Sequence, residues 1–373
     1  MPINPTRLVA IARKEIIQLR RDVRSLILAF VLPVLLLILF GYAISWDVDH
    51  IDTAVLNQDH SQQSRQLLDA FRASGYFSLK STLQRPEDIG PLLDRGGAEI
   101  VLVIPTDFSK NLDAGRPAEL QAIVDGSDAN TATIVLAYTE AIARSYSMDV
   151  ALKGTKLVLP VTMESRVWFN EELVSRDMIV PGLVAVIMMI VAAMLTSLTI
   201  AREWERGTME QLAATPVSSV EVVIGKLLPY LAIGLIDVVV TSALGVWLFG
   251  VPFRGNLALF IILSTAFLTG ALGFGIFISA ATRSQLLATQ IAMLATFLPA
   301  FLLSGFMFAI SVMPVPLRIL TYLVPARYFL VVTRGIFLKG VGIGVLHVQG
   351  LLMIVFAAVG LFLAVRVFKK ELR

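Results

Sequence analysis

MIVPGLVAVIMMIVAAMLTSLTI, the sequence of residues 178–200, has 23 residues and no charged side chain. A helix needs about 20 consecutive apolar residues to cross the hydrocarbon core of a bilayer. Five other apolar runs of comparable length lie on either side of this one. The six runs occupy residues 26–46, 178–200, 222–249, 257–281, 286–310 and 345–365. We therefore expect an α-helical integral membrane protein with six transmembrane helices.

The composition supports a membrane protein and excludes thiol chemistry. Hydrophobic residues make up 56% of the 373-residue chain and charged residues only 16%, whereas soluble domains carry about 25% charged residues. There are no cysteines. Disulfides, thiol catalysis and thiolate metal sites are therefore excluded.

Basic residues predict the orientation of the spans. With six spans, both termini lie on one side of the membrane. The segments on that side are 1–25, 201–221, 282–285 and 366–373, and they hold 13 Lys or Arg in 58 residues. The opposite loops, 250–256 and 311–344, hold 5 in 41. Because cytoplasmic loops are enriched in Lys and Arg, both termini are predicted to be cytoplasmic.

Residues 47–177 are predicted to form an inserted, mixed α/β extracytoplasmic domain. Their 12 basic and 20 acidic residues give a net charge of −8. Runs rich in β-branched residues predict strands, and amphipathic runs predict helices. The strands are expected at 51–56, 99–104 and 119–125, and the helices at 61–74, 86–95 and 129–151.

The first 25 residues are predicted to form an amphipathic helix along the inner membrane surface. Leu8, Ile11, Ala12, Ile16 and Leu19 recur at helical spacing, and the basic residues lie on other faces. A basic flank without helical structure is the alternative. At the other end of the chain, residues 311–344 are amphipathic, and prolines interrupt them too often for a span. An ordinary surface loop is one interpretation of this segment.

No pattern in the sequence predicts an enzyme. His50, His60 and His347 are scattered, without metal-ligand spacing. Neither a Gly-x-Ser-x-Gly nucleophile motif nor a phosphate-binding P-loop occurs. The sequence therefore predicts no catalytic, cofactor-binding or metal-binding residues, and any ATP energy must come from a partner protein.

The inner loop 201–221 holds the densest set of charged residues between spans. Charges at i, i+3 and i, i+4 in Arg202–Glu210 can support a short cytoplasmic helix, which Gly207 opposes. The glycine indicates a bend or a close approach. Ser218 and Glu221 form a capping-box pattern that predicts the start of the next helix. A solvated turn between two spans is an equally good interpretation of the spacing.

Asp237 is the one acidic residue deep inside a predicted span. A charge at the centre of a transmembrane helix costs about 2.5–3.5 kcal/mol on insertion scales. One interpretation is a contact in a transport pathway for a cation or proton. The other, slightly favoured, is a structural hydrogen bond to a neighbouring helix.

The inner loop also carries a family resemblance. Glu205-Arg-Gly-Thr-Met-Glu-Gln-Leu212, followed by Thr215-Pro216 and Gly225-Lys226, resembles the signature of ABC type-2 transporter permeases. The whole chain is similar to the bacterial drug-export subgroup, which has a large extracytoplasmic domain after the first span. Further matching segments are Gly41-Tyr42, Asp125–Asp128, Trp168–Asn170, Leu303–Phe306 and Pro325–Phe329. Residues 311–344 resemble the short, re-entrant-like outer helices that follow the fifth span in this family.

The resemblance implies partners and contact residues. A permease of this family pairs with a second copy or a paralogue, and separate ABC ATPase subunits bind ATP and magnesium. A periplasmic adaptor often accompanies the drug-export subgroup. The residues that would contact the ATPase are Arg13, Lys14, Glu15, Arg202, Glu203, Glu205, Arg206, Gly207, Thr208 and Glu210.

The sequence as a whole thus predicts an export permease of the bacterial inner membrane, embedded in lipid and without a nucleic-acid partner. It would move amphipathic drugs or lipid-like molecules outward. Two alternatives stay open: an ion-coupled carrier that uses Asp237, and a membrane sensor whose outer domain binds a ligand.

Overall fold

The computed structural model describes residues 4–44, 50–151, 168–170 and 174–368. The predicted end of the first span at Trp46 and the basic tail residues Lys369, Lys370 and Arg373 lie outside these ranges. The chain divides into two compact units. We name Met1–Ser45 with Arg166–Arg373 the helical unit, and Trp46–Ser165 the inserted unit.

The helical unit consists of α-helices joined by short connections. Its helices are α1 (Pro5–Arg21), α2 (Val23–Leu26), α3 (Leu32–Ala43), α8 (Ser175–Glu205), α9 (Met209–Ala214), α10 (Ser219–Phe249), α11 (Leu257–Thr282), α12 (Gln285–Leu298), α13 (Val315–Thr321), α14 (Pro325–Arg334) and α15 (Ile343–Val367). Five-residue π-helical segments follow α2, α12 and α14, at Ile27–Val31, Pro299–Leu303 and Gly335–Lys339. A short 3₁₀ turn lies at Ile310–Val312.

Among the described residues, five helices are long and apolar enough to cross a membrane: α8, α10, α11, α15, and α12 continued to Leu303. The first predicted span contains a shorter apolar helix, Ala29–Ala43. Val315–Thr321 and Pro325–Lys339 form a pair bent by 75°, within the segment predicted to be re-entrant. The protein is a mostly helical integral membrane protein with five to six candidate spans.

α8 is the central helix of the unit. In its most apolar stretch, 89% of the residues are buried. The helix packs against α3, α10, α11, α12 and α14. Hydrogen bonds add to this packing: Thr196 Oγ1 donates to the Leu272 carbonyl at 2.8 Å, and the Ala201 amide donates to Ser279 Oγ at 2.9 Å. Both bonds join α8 to α11, as expected where no water competes for polar groups.

α11 and α15 approach until their backbones touch. A Cβ built at Gly360 would lie 2.6 Å from the Gly270 carbonyl oxygen. One at Gly273 would lie 2.8 Å from the carbonyl carbon of Gly360. Only glycine allows this separation, and small residues at helix crossings are the usual means of close packing in membranes.

The inserted unit is a four-stranded sheet with helices on both faces. Its elements are β1 (Ile51–Asn57), α4 (Gln62–Ala73), β2 (Phe77–Thr82), α5 (Ile89–Asp94), β3 (Ile100–Ile104), α6 (Phe108–Asp113), β4 (Gln121–Val124) and α7 (Ala129–Ala151), with a 3₁₀ turn at Pro86–Asp88. The strand order is β2-β1-β3-β4, with β4 antiparallel to β3 and the other pairs parallel.

The core of the inserted unit lies between the sheet and the helices α4, α6 and α7. Phe71 and Val135 pack there against inward-facing strand residues, and a smaller cluster around Leu92 covers the opposite face. The three predicted strands are confirmed within a few residues. β2 was not predicted from the sequence, because apolar and polar residues alternate only weakly in its sequence, FSLKST. It is an edge strand whose polar side chains stay partly exposed.

Candidate functional site

The N-terminal helix α1 packs along the start of α10. Asn4 caps it, with its side chain accepting a hydrogen bond from the Thr6 amide. Ile11 and Leu19 are buried, and Ile11 contacts Gly225, where a Cβ would lie 2.9 Å from the Ile11 side chain. The predicted helix is confirmed, and its place along the inner membrane surface stays a prediction. Of the apolar residues predicted to share one face, Ile16 is 46% exposed, and the neighbouring Glu15 is buried.

Buried Glu15 belongs to a cluster of four charged residues. Lys226 Nζ on α10 lies 2.5 Å from Glu15 Oε1 and 3.2 Å from Glu203 Oε1. Lys14 Nζ lies 2.5 Å from the same Glu203 oxygen. Glu15, Lys226 and Glu203 are each at most 3% exposed. We name Lys14, Glu15, Glu203 and Lys226 the buried charge cluster, and its two cations and two anions balance.

Such a cluster holds three elements together. Transferring an ion from water into the protein costs several kcal/mol of free energy. Attraction between close partners offsets that cost only while all partners are present. Glu203 lies near the end of α8, Lys226 lies on α10, and the other two lie on α1. Displacing α1 from α8 and α10 would therefore separate buried opposite charges.

A second contact ties the end of α1 to α8. Arg202 Nη2 lies 2.6 Å from Asp22 Oδ2, the carboxylate that follows the last residue of α1. The same guanidinium group donates to Ser25 Oγ at 3.3 Å and, through Nε, to Gln285 Oε1 at 3.4 Å. Burial alone raises the pKa of Asp22, but hydrogen bonds from Ser25 and the Arg202 charge lower the pKa below its ordinary value of 3.8.

A third contact ties the beginning of α1 to the start of α10. The Asn4 amide donates to Glu221 Oε1 at 2.8 Å, and Arg7 Nη1 donates to the Pro216 carbonyl at 2.5 Å. The other Glu221 oxygen accepts from the Ser218 amide at 2.7 Å. The predicted capping box of Ser218 and Glu221 is thus confirmed, and one of its oxygens also holds α1.

The connection between α8 and α10 differs from the expected charge-paired helix. α8 ends at Glu205, Gly207 has φ +68°, and α9 begins only at Met209. The predicted pairs within Arg202–Glu210 are wrong, because Arg202 and Glu203 bind residues distant in sequence. Of the two roles predicted for Gly207, the bend is confirmed. The close approach of another segment is not, since nothing lies within 4 Å of a Cβ built at Gly207. Thr208 Oγ1 donates to the Glu203 carboxylate across the bend.

The structure separates the predicted ATPase-contact residues into two groups. Glu15, Arg202 and Glu203 are buried in the contacts just described. Arg13, Lys14, Glu205, Arg206, Gly207 and Glu210 are exposed, and Thr208 is partly exposed. Glu205 also accepts hydrogen bonds from the backbone and side chain of Gln285. The exposed group, which we name the exposed loop surface, is the part that another protein can touch.

Several residues around α1 and the α8–α10 connection were not identified by the sequence analysis. Lys226, Asp22 and Gln285 hold the elements together but were assigned no such role. Lys226 offered a usable signal, because a lysine inside an apolar run requires an anionic partner. The end of α15 lies here too, since Ser219 Oγ donates to the Phe368 carbonyl at 3.3 Å. Both ends of the described chain therefore meet at the face that carries the α8–α10 connection.

Asp237 lies on α10 and is 2% exposed. Its backbone carbonyl accepts from the Thr241 hydroxyl at 2.6 Å. In the described part of the chain, its Oδ2 atom has no hydrogen-bond partner. The expected hydrogen bond to a neighbouring helix is thus not seen for this oxygen, and its role in a transport pathway stays a prediction.

An apolar cavity of about 400 Å³ lies among α3, α8 and α12. Its walls include Leu36 and Phe40 of α3, Val186 and Ile190 of α8, and Phe297 of α12. All of its lining side chains are apolar, so it can accept an apolar group but offers no partner for a charge.

Comparison with known proteins identifies relatives along nearly the whole chain. The pattern that defines the ABC-2 family of transporter proteins matches residues 23–366. The "probable multidrug ABC transporter permease YbhS" of Escherichia coli is 38% identical over 355 residues, which cover 95% of this chain and 94% of that protein. YbhR of the same organism, with the same description, is 34% identical over 334 residues, covering 89% and 90% of the two chains.

A more distant relative also matches over most of both chains. The "inner membrane transport permease YhhJ" of Escherichia coli is 26% identical over 329 residues, covering 86% of this chain and 85% of that protein.

Proposed function

This chain belongs to the ABC-2 family of transporter permeases, and from that premise we propose that it exports amphipathic drugs or lipid-like molecules across the bacterial inner membrane. It is a transmembrane permease subunit of an ABC exporter and not itself an ATPase. Separate ATPase subunits, which bind ATP and magnesium, would supply the energy. Both termini and the α8–α10 connection would face the cytoplasm, and the inserted unit the outside.

The observation that carries the proposal is the set of contacts that binds α1 to the α8–α10 connection. The Lys226–Glu15 and Arg202–Asp22 pairs join α1 to two long apolar helices. A partner that pushes on the exposed loop surface would therefore move α1, α8 and α10 together. Exposed charges on the same face suit a partner that recognises complementary charge.

The apolar cavity supports the choice of cargo. A volume of about 400 Å³ with only apolar walls suits the hydrocarbon part of an amphipathic molecule. The family implies a second permease copy or paralogue, and alternating opening of a space between the two would release the cargo. The family resemblance supports a periplasmic adaptor as a further partner, and the apolar outer faces of the helices suit surrounding lipid.

Transport in reconstituted vesicles tests this function. The permease and its ATPase would be placed in proteoliposomes, and ATP-dependent movement of ethidium and of a fluorescent lipid measured. Val186→Phe, which fills the cavity wall, should reduce transport several-fold, and Val359→Phe on the exposed side of α15 is the matched control. If neither probe moves with ATP, the proposed cargo class is wrong.

Family membership argues against an ion-coupled carrier and against a membrane sensor. Asp237 could still touch the cargo on its path. Asp237→Asn should then reduce ethidium transport while leaving protein level and ATPase association intact. Normal transport by this variant would remove Asp237 from the pathway.

A further inference from the structure

The inserted unit contains a pocket of about 600 Å³ to which the proposed function assigns no role. It lies between α4, α6, the loop after α6 and the second half of α7, all within this unit. Pockets that bind small molecules have volumes of about 300–1,000 Å³ and mostly apolar walls. This pocket meets both criteria, since most of its lining residues are apolar.

Core residues form the apolar wall of the pocket. Leu67 and Phe108 are 2% and 3% exposed and belong to the main core of the unit. Tyr146 on α7 is fixed by a hydrogen bond of 2.9 Å from its hydroxyl to the Gln63 carbonyl on α4. The walls are therefore held by the fold and do not depend on a ligand for their position.

Arg116 gives the lining of the pocket a positive charge. The chain turns at Gly115, which has φ +64°, and the Arg116 amide donates to the Asn111 carbonyl at 2.8 Å. This turn presents Arg116 at the edge of the pocket, where it is the only charged residue of the lining. Its side chain is exposed, and it has no ion pair within the described part of the chain.

We propose that this pocket binds an amphipathic anion. The apolar part of the ligand would lie against Leu67 and Phe108, and its acidic group would accept hydrogen bonds from the Arg116 guanidinium. A guanidinium group suits a carboxylate, sulfonate or phosphate because its donors match their paired oxygens. The site is separate from the membrane cavity, and its existence does not depend on the proposed export function.

Protection of an introduced thiol tests the site, because the chain has no native cysteine. Ser147 is exposed and lines the pocket, whereas Ser145 is exposed on the same helix but does not line it. Full-length S147C and S145C would be placed in phospholipid nanodiscs and alkylated with a water-soluble maleimide. Dodecanoate and dodecyltrimethylammonium, below their micellar concentrations, are the anionic and cationic probes.

We expect dodecanoate to slow alkylation of S147C at least about fivefold and to leave S145C unchanged. Adding Arg116→Gln should raise the half-protecting dodecanoate concentration about tenfold. Equal slowing of both variants would mean non-specific adsorption, and no slowing of S147C would mean no site. Equal protection by the cationic probe would overturn the assignment of an anion. A tenfold weakening on Arg116→Gln with folding unchanged would separate charge recognition from a structural effect.

Discussion

Lys226 and Glu15 form an ion pair of 2.5 Å although 211 residues separate them in the chain. Both side chains are 2% exposed. This pair fixes the N-terminal helix to a membrane-spanning helix at the face where the α8–α10 connection emerges. A force applied to α1 would therefore reach a spanning helix directly, and Glu15 has a structural role.

Removing Lys226 should destabilise the helical unit strongly. Lys226→Met leaves Glu15 without its buried cation, a change that typically costs about 3–5 kcal/mol. Lys14→Met removes a half-exposed lysine and leaves Glu203 paired with Lys226, so it should destabilise the unit less than Lys226→Met. Thermal unfolding in detergent, followed by size-exclusion chromatography, would compare the two.

The double variant K226M/E15Q provides a rescue. It leaves Glu203 paired with Lys14 and removes the unpaired anion, so it should recover part of the stability lost in Lys226→Met. Equal stability of Lys226→Met and Lys14→Met would show that the cluster does not hold α1 in place.

Reversing a charge on the exposed loop surface should weaken association with the ATPase. Glu210→Lys should lower ATPase co-purification about tenfold, which corresponds to about 1.4 kcal/mol. Unfolding should be unchanged, because exposed substitutions usually alter stability by less than about 0.5 kcal/mol. Glu140→Lys, which changes an exposed acid in the inserted unit, is the charge-matched control. Unaltered co-purification and unaltered ATP hydrolysis by Glu210→Lys would make this surface a plain connector.

Acid should weaken the attachment of α1 through Asp22. The pKa of this carboxyl is lowered in the folded state, so its contribution is present above the ordinary value of 3.8 and is lost as pH falls through the lower, folded-state pKa. Asp22→Asn should therefore be less stable than the parent chain at neutral pH. The difference should shrink as the pH approaches that lower pKa. Melting temperatures measured across this range test the sign, and a difference that grows towards acid pH would contradict it.

A single methyl group at Gly360 should disturb the packing of α11 on α15. Its Cβ would lie 2.6 Å from a backbone oxygen, and forced overpacking of this kind costs about 1–3 kcal/mol. Gly344→Ala makes the same chemical change on the same helix, where nothing lies within 4 Å. The thermal stability of Gly360→Ala should fall below that of Gly344→Ala. Equal melting temperatures would mean that the two helices separate without cost.

Thiol labelling tests the predicted orientation. Cysteine replaces Ser127 in the inserted unit or Ala214 at the end of α9, both exposed positions. In intact cells, an impermeant maleimide should label Ser127→Cys and should label Ala214→Cys only after the inner membrane is opened. The reverse pattern would overturn the assignment of the inserted unit to the outside.

The sequence alone determined the membrane class, the apolar runs, the amphipathic N-terminal helix, three strands and the capping box of Ser218 and Glu221. Each of these depends on residues close together in the chain, whose periodicity and capping patterns are visible in the sequence. The charge density of the inner loop also drew attention to Arg202 and Glu203, but the pairs predicted within the loop were wrong.

Only the tertiary structure decided which of those charges are available to a partner. Glu203 has a neighbour of opposite charge at Arg206, yet it pairs with Lys14 and Lys226, 189 and 23 residues away. A charge pair stabilises a helix surface by a few tenths of a kcal/mol, whereas an unpaired buried charge costs several. Once α1 covers the end of α8, the cost of an unpaired buried charge therefore decides the pairing of Glu203. No local pattern contains that information, because it depends on which helices touch.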